Sequence, residues 1–339
     1  MPRLKTILAP ELRLKTEVAV SSCPRVARII SPALMTAKKI SHAFTARSKA
    51  PARTLGFELF LFLLVVIFLF PLASLLRVAL HNDSCTHIPL VPIISALLIY
   101  LGRKRIFRDL KYSYVLGTVI LFAGAGFYCL AVTQSQSDAL SGIIFSFVLL
   151  IIGGFIFWFG ADSFRKAMFP CLFLLLMVPL PSFILDKIVY LLQKESTAIA
   201  YQLFRLFLVP VLREQFVLVL PGVAIEVAKE CSSIRSSVAL FITALLAAHL
   251  YLRRPWTKFV LVALAIPLAV FKNGVRIFTL CMLAIHVDPG FLTGRLHRDG
   301  GIVFYCFALI VLGAALSVLR SAEKPSSTAL HDLWRQPTN

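Results

Sequence analysis

Acidic side chains are scarce: 16 Asp and Glu stand against 35 Lys and Arg in 339 residues, and charged residues make up only 15% of the chain. An ordinary soluble domain carries about a quarter, so that class is excluded. The paired-acid word DxD does not occur, which counts against a lipid-linked glycan transferase or ligase using Asp83 of the first outer loop. GxGD and GxSxG are missing as well, removing the intramembrane aspartyl and serine protease readings. The seven cysteines include no CxxC pair, and Cys129, Cys171, Cys281 and Cys306 lie in apolar stretches, so a disulfide framework is not expected. Cys231, His286 and His297 offer no close ligand spacing; neither a metal nor another cofactor is expected. The +19 formal charge comes without an aromatic-basic RNA motif and sits in the N-terminal tail and in alternate loops. Its expected partners are lipid headgroups, not nucleic acid.

What is abundant is apolar surface: 59% hydrophobic residues, with 28 phenylalanines. Apolar runs of about 20 residues, long enough to cross a bilayer, alternate with short basic or polar loops. The expected fold class is an all-α polytopic membrane protein of about eight transmembrane helices. The spans run near residues 57–76, 88–101, 114–132, 143–159, 168–180, 234–252, 259–285 and 302–319. Basic loops at Arg103 to Lys111, Arg165-Lys166, Arg253 to Lys258 and Arg320 to Lys324 mark one face as cytoplasmic, with both termini on it. Residues 1–55 form a basic tail without a core, 56–320 the membrane domain and 321–339 a cytoplasmic tail. The first 55 residues are either a true tail, a transit-like segment, or the product of a start placed upstream of one near Met35.

Between the fifth and sixth spans lies the longest outer segment. Ile184, Ile188, Leu191 or Leu192, Ile199, Leu203 and Leu206 recur at helical spacing, predicting an amphipathic helix at the outer interface. QFVLVL and VAIEVA then flank Pro221-Gly222, which predicts a small β-hairpin before the sixth span. A fully inserted helical pair is the alternative. Either preserves parity.

On this topology three reactive residues share the outer face: Cys231 before the sixth span, Arg276 about 27 Å up the seventh from Lys258, and His297 before the eighth. A thiol attacks as thiolate, so a nearby imidazole that takes its proton makes it useful near neutrality. A guanidinium in a low-dielectric site can hold the oxyanion that follows attack on a carbonyl. Such an arginine costs about 2.5 to 3.5 kcal/mol on insertion scales; the bland alternative is snorkelling to headgroups. Asn273, one turn earlier, is placed to orient Arg276. Outer positive charge is in surplus at Arg213, Lys229, Arg235, Arg295 and Arg298, and Arg235, Arg295 or Arg298 suits an acidic substrate group, with Arg235 equally able to pair with Glu230 or a lipid phosphate. A transporter remains a competing class. Transport usually places polar groups near midplane, however, and apart from His249 and Asn273 the spans offer few.

ECSSIRSS, NGVRIF and LHRDGG, in this order across the last three spans, resemble the Cys, Arg and His motifs of the exosortases, and of the related archaeosortases. HIPLVPIIS is similar to the family's His-Gly-x-Leu-Val-Pro stretch, with Ile88 in place of glycine, and Ser233 replaces the glycine common after Cys-Ser. His297, where archaeosortases carry arginine, points to the bacterial branch. The resemblance spans roughly Phe57 to Leu319. It implies a cysteine peptidase or transpeptidase in the inner membrane, with Cys231, Arg276 and His297 catalytic at the outer face. It also implies substrates: secreted proteins ending in a short motif such as Pro-Glu-Pro, a membrane helix and a basic cluster. The acceptor that resolves the thioester is left open, as is exopolysaccharide linkage.

Overall fold

The computed structural model describes residues 53–108, 112–134, 136–220, 223–227, 234–288, 290 and 301–323. The first span is a bent pair, α1 (Arg53–Ile67) and α2 (Leu69–His81), meeting at 70°. Pro71 has no N–H to give the Ile67 carbonyl four residues back, and its ring crowds that carbonyl, so the helix restarts instead of continuing. Next come α3 (Leu90–Ile106), α4 (Tyr114–Val132), α5 (Gln136–Phe159), α6 (Ala161–Lys166) and α7 (Met168–Phe173), the last prolonged by a 3₁₀ turn at Leu174–Met177. After Pro179 and Pro181 the chain turns by 90° into α8 (Ser182–Leu206), the expected amphipathic helix. The membrane helices α9 (Ile234–Tyr251), α10 (Pro255–His286) and α11 (Gly301–Glu323) complete the order.

Among the described residues five helices are long and apolar enough to cross a membrane, or seven if each bent pair is one span. α3, 17 residues long, is shorter than these and lies over the second of the eight spans expected.

Before α9 lies a small antiparallel sheet in the order β1 (Leu212–Glu214), β2 (Val217–Leu220), β3 (Val223–Glu226). The β2–β3 register, with Leu220 opposite Val223, is the predicted hairpin about Pro221-Gly222. β1 is an addition to it: Glu214 faces Val217 across a two-residue turn in which Gln215 takes φ 53°.

Burial is inverted relative to a soluble protein. Phe70 is 84% exposed and Leu208 90%, while Gln193, Ser196, Thr197, Lys272 and Asn273 are buried. Lipid is the solvent that makes this arrangement favourable, because apolar groups lose nothing by facing it and polar groups must be satisfied internally. α4 and α5 approach so closely that a Cβ on Gly117 would lie 2.6 Å from the Phe157 backbone, the small-residue contact typical of spans. One apolar cluster, including Phe68, Ile88, Ile144, Val148 and Met177, fills the first half of the molecule. A second joins α9, α10 and α11 through Leu240, Ala244, Leu261, Ala308 and Leu312. A third, with Phe204, Leu218, Leu220, Ile277 and Cys281, seats α8 and the sheet on the later part of α10.

Loop contacts sort into two sets. His87 bonds the Leu176 carbonyl at 3.1 Å and Asp138 accepts from Ser182, which joins three of the loops expected outside. Arg53 donates to Tyr112 at 2.9 Å, and Glu323 accepts from the backbone of Arg253 and Arg254, which joins loops expected in the cytoplasm.

Candidate active site

α10 carries the site's described residues. It is 32 residues long, begins with Pro255 in its first turn, where the missing N–H costs nothing, and contains Pro267. From Lys258 to Arg276 the helical rise amounts to about 27 Å, nearly the thickness of a hydrocarbon core. Around this turn the helix is enclosed on most sides: Lys272, Asn273 and Gly274 are consecutive and all buried. Gly274 faces α8, where a Cβ would sit 2.5 Å from Ile199 and 3.1 Å from the Ser196 carbonyl. A side chain there would force α8 away from the site.

Lys272 faces α9 instead. Only 2% exposed, it donates from Nζ to the Ser236 hydroxyl. Sequence alone does not single this residue out among spans that offer few polar groups beyond His249 and Asn273. Its one signal is spacing: lysine stands four residues before Arg276 in FKNGVRIF, so both cations occupy one helix face. His249 is not at midplane; it stacks on Phe169 with ring centroids 3.6 Å apart, near the end of α9.

Asn273 is 1% exposed, and Arg276 is half-buried with its Nε inside the protein. The structure therefore brings Lys272 and Ser236 together in the α9–α10 packing, with Asn273 and Arg276 within the next turn of α10. Arg235, in the same first turn of α9 as Ser236, is exposed. Cys231, His297, Arg295 and Arg298 lie outside the described residues.

The chain on either side of residue 231 is anchored. Upstream, Gln193 of α8 donates to the Val227 carbonyl while the Val227 N–H bonds Phe216 at 2.9 Å. Downstream, α9 begins at Ile234 and is tied at Ser236 by Lys272. The 3₁₀ turn at Asp83–Cys85, next to HIPLVP, packs against α9. Burial pushes the Cys85 thiol above its ordinary pKa, which makes it a poor nucleophile. The described part of the site thus offers fixed cationic donors where negative charge can be held. Among the described residues no group of His, Cys, Asp and Glu could hold a metal ion.

A family model described as transmembrane exosortase covers residues 79–314, more than half of the chain. No curated protein matches, and no solved structure does.

Proposed function

Because the chain belongs to the transmembrane exosortase family, we propose that it is a membrane-embedded cysteine peptidase or transpeptidase acting on C-terminal sorting tails of secreted proteins. The observation that carries this reading is the buried cationic turn of α10, packed on the helix whose entrance follows Cys231. In the reaction His297 takes the Cys231 proton, and the sulfur attacks the scissile carbonyl. Arg276 holds the resulting oxyanion, positioned by Asn273. Collapse breaks the C–N bond, the leaving amine takes the proton from His297, and a thioester remains on Cys231. Water or an amine or hydroxyl of an outer-surface acceptor then attacks the thioester, and the thiol is regenerated. Exposed Arg235, with Arg295 and Arg298, binds the acidic part of the substrate motif. A substrate tail of this kind would lie beside the spans with its basic cluster in the cytoplasm and its scissile bond at the outer face of the inner membrane.

The test is tail removal from a co-expressed substrate, followed on a blot. Cys231→Ala abolishes processing while the protein still inserts, and Cys85→Ala leaves it intact. Undiminished cleavage by Cys231→Ala would end the cysteine peptidase reading.

A further inference from the structure

Two adjacent hydroxyls on α8 behave differently, and the mechanism above uses neither. Inside a helix a serine or threonine ordinarily gives its proton to a carbonyl of the preceding turn. Thr197 does so, donating to Gln193 at 2.7 Å. Ser196 does not. It is fully buried, and among the described residues its Oγ finds no hydrogen-bond partner. A hydroxyl held in that state has given up the water it would keep when exposed, so the contact that buries it is weaker for its presence. The place of Ser196 in the fold says what it is for. It lies where α8 meets α10: a Cβ on Gly274 would be 3.1 Å from the Ser196 carbonyl and 2.5 Å from Ile199. Gly274 itself stands between Asn273 and Arg276.

The buried face of α8 is polar, with Gln193, Ser196 and Thr197, while Phe183, Tyr190 and Leu191 are exposed. The turn of α10 beside it is polar as well, carrying Asn273 and Arg276. Such a lining suits a polar guest, and a peptide around a scissile bond brings a row of carbonyl and N–H groups that must be satisfied away from water. We infer that the seam between α8 and α10 is the closed form of the groove for the substrate peptide, and that Ser196 is a binding residue in it, donating its hydroxyl to the peptide backbone beside Arg276. This rests on the peptidase reading. Two features let the seam part. Gly274 has no side chain to interlock with α8, and α8 follows Pro179 and Pro181 at a 90° turn, where two residues without an N–H cannot tie it into the preceding helix.

The experiment separates a binding hydroxyl from a structural one by sign. Full-length protein carrying Cys231→Ala, in lipid nanodiscs, is titrated with a fluorescent reporter that ends in Pro-Glu-Pro, an apolar helix and a basic cluster. Adding Ser196→Ala weakens binding of that reporter by about five-fold, the worth of one hydrogen bond. The same change raises the unfolding midpoint of the reporter-free protein, because an unsatisfied hydroxyl has left a buried contact. A hydroxyl with a merely structural role would do the reverse, lowering the midpoint and leaving the affinity alone. Ser317→Ala, at an exposed hydroxyl that bonds the Gly313 carbonyl of its own helix, alters neither. Equal affinity with and without Ser196, or a fall in the midpoint, overturns the proposal. Failure of the peptidase reading shows in a different readout, since the Cys231→Ala protein would then itself remove the tail.

Discussion

Arg276 and Lys272 occupy one face of one helix, yet only the first has the geometry to grip a developing oxyanion. A guanidinium presents planar, divergent N–H donors, whereas an ammonium is a point charge on a flexible stem. Arg276→Lys is therefore expected to lower turnover by about 100-fold, the cost typical of losing an oxyanion donor, with insertion unchanged. Turnover within a few-fold of wild type, measured by single-turnover tail cleavage, would reduce Arg276 to a headgroup anchor. His87 makes a second prediction at this scale. Burial lowers its pKa, opposed in part by the bond to Leu176; because a carbonyl accepts, Nε2 carries the proton and donates. The folded state binds a proton less readily than the unfolded state, so the stability held above about pH 6.5 is lost as pH falls through the depressed folded value. The melting temperature should drop between pH 7 and pH 5. His87→Gln keeps a donor for Leu176 but cannot titrate, and its profile should be flatter over that window. An equally steep profile in the variant would assign the acid sensitivity elsewhere.

Among the elements, α8 ends in a way its sequence does not advertise. Leu208 donates to the Arg205 carbonyl and Val209 to Phe204 at 2.9 Å, the two reciprocal bonds of a Schellman ending, with Leu208 in the left-handed position at φ 56°. Glycine is the usual residue there because a Cβ meets the next carbonyl. Leu208→Gly should stabilise the protein by about 1 kcal/mol, read as a rise in the unfolding midpoint in mild detergent; a fall would mean that the exposed leucine contributes more through lipid contact than its backbone strain costs. The α4–α5 pair runs the opposite way. At Gly117 a side chain would meet the Phe157 backbone at 2.6 Å, and backbone inside a packed helix cannot yield locally. Gly117→Val is expected to cost about 1 to 3 kcal/mol by overpacking, and an unchanged midpoint would show that the two helices can part freely. Glu323 closes another helix pair: it accepts from the N–H groups of Arg253 and Arg254 and from Thr257, fastening the end of α11 to the start of α10.

Across the whole molecule, what was legible in the sequence followed from long runs and local punctuation. Apolar stretches gave the spans, helical spacing gave α8, and Pro221-Gly222 gave the β2–β3 register. β1 was not legible because its turn at Gln215-Phe216 carries no glycine, and the two bends were not because a proline reads alike at a helix start and inside a span. In the site, the motif order pointed to Arg276 and Asn273, but Lys272 gained its meaning only from α9, since burial of one residue depends on which helix packs over it. The same loop contacts that sort the molecule into two ends also make its orientation testable. One set gathers Arg53, Arg253, Arg254 and Glu323, beside the basic groups Lys258 and Arg320; the other gathers His87, Asp138, Leu176 and Ser182. Short loops rich in Lys and Arg stay in the cytoplasm, so the first set should face inward and the second outward, with the α9 entrance on the outer side. Single cysteines introduced at Thr133 and at Ser321, in a background stripped of the exposed thiols Cys129 and Cys306 and of Cys23 and Cys231, separate the cases. A membrane-impermeant maleimide added to intact spheroplasts should label Thr133→Cys and spare Ser321→Cys until the membrane is opened. The reverse pattern would turn the molecule over and put the cationic turn of α10 on the cytoplasmic side, where a secreted substrate's tail could not be cut after export.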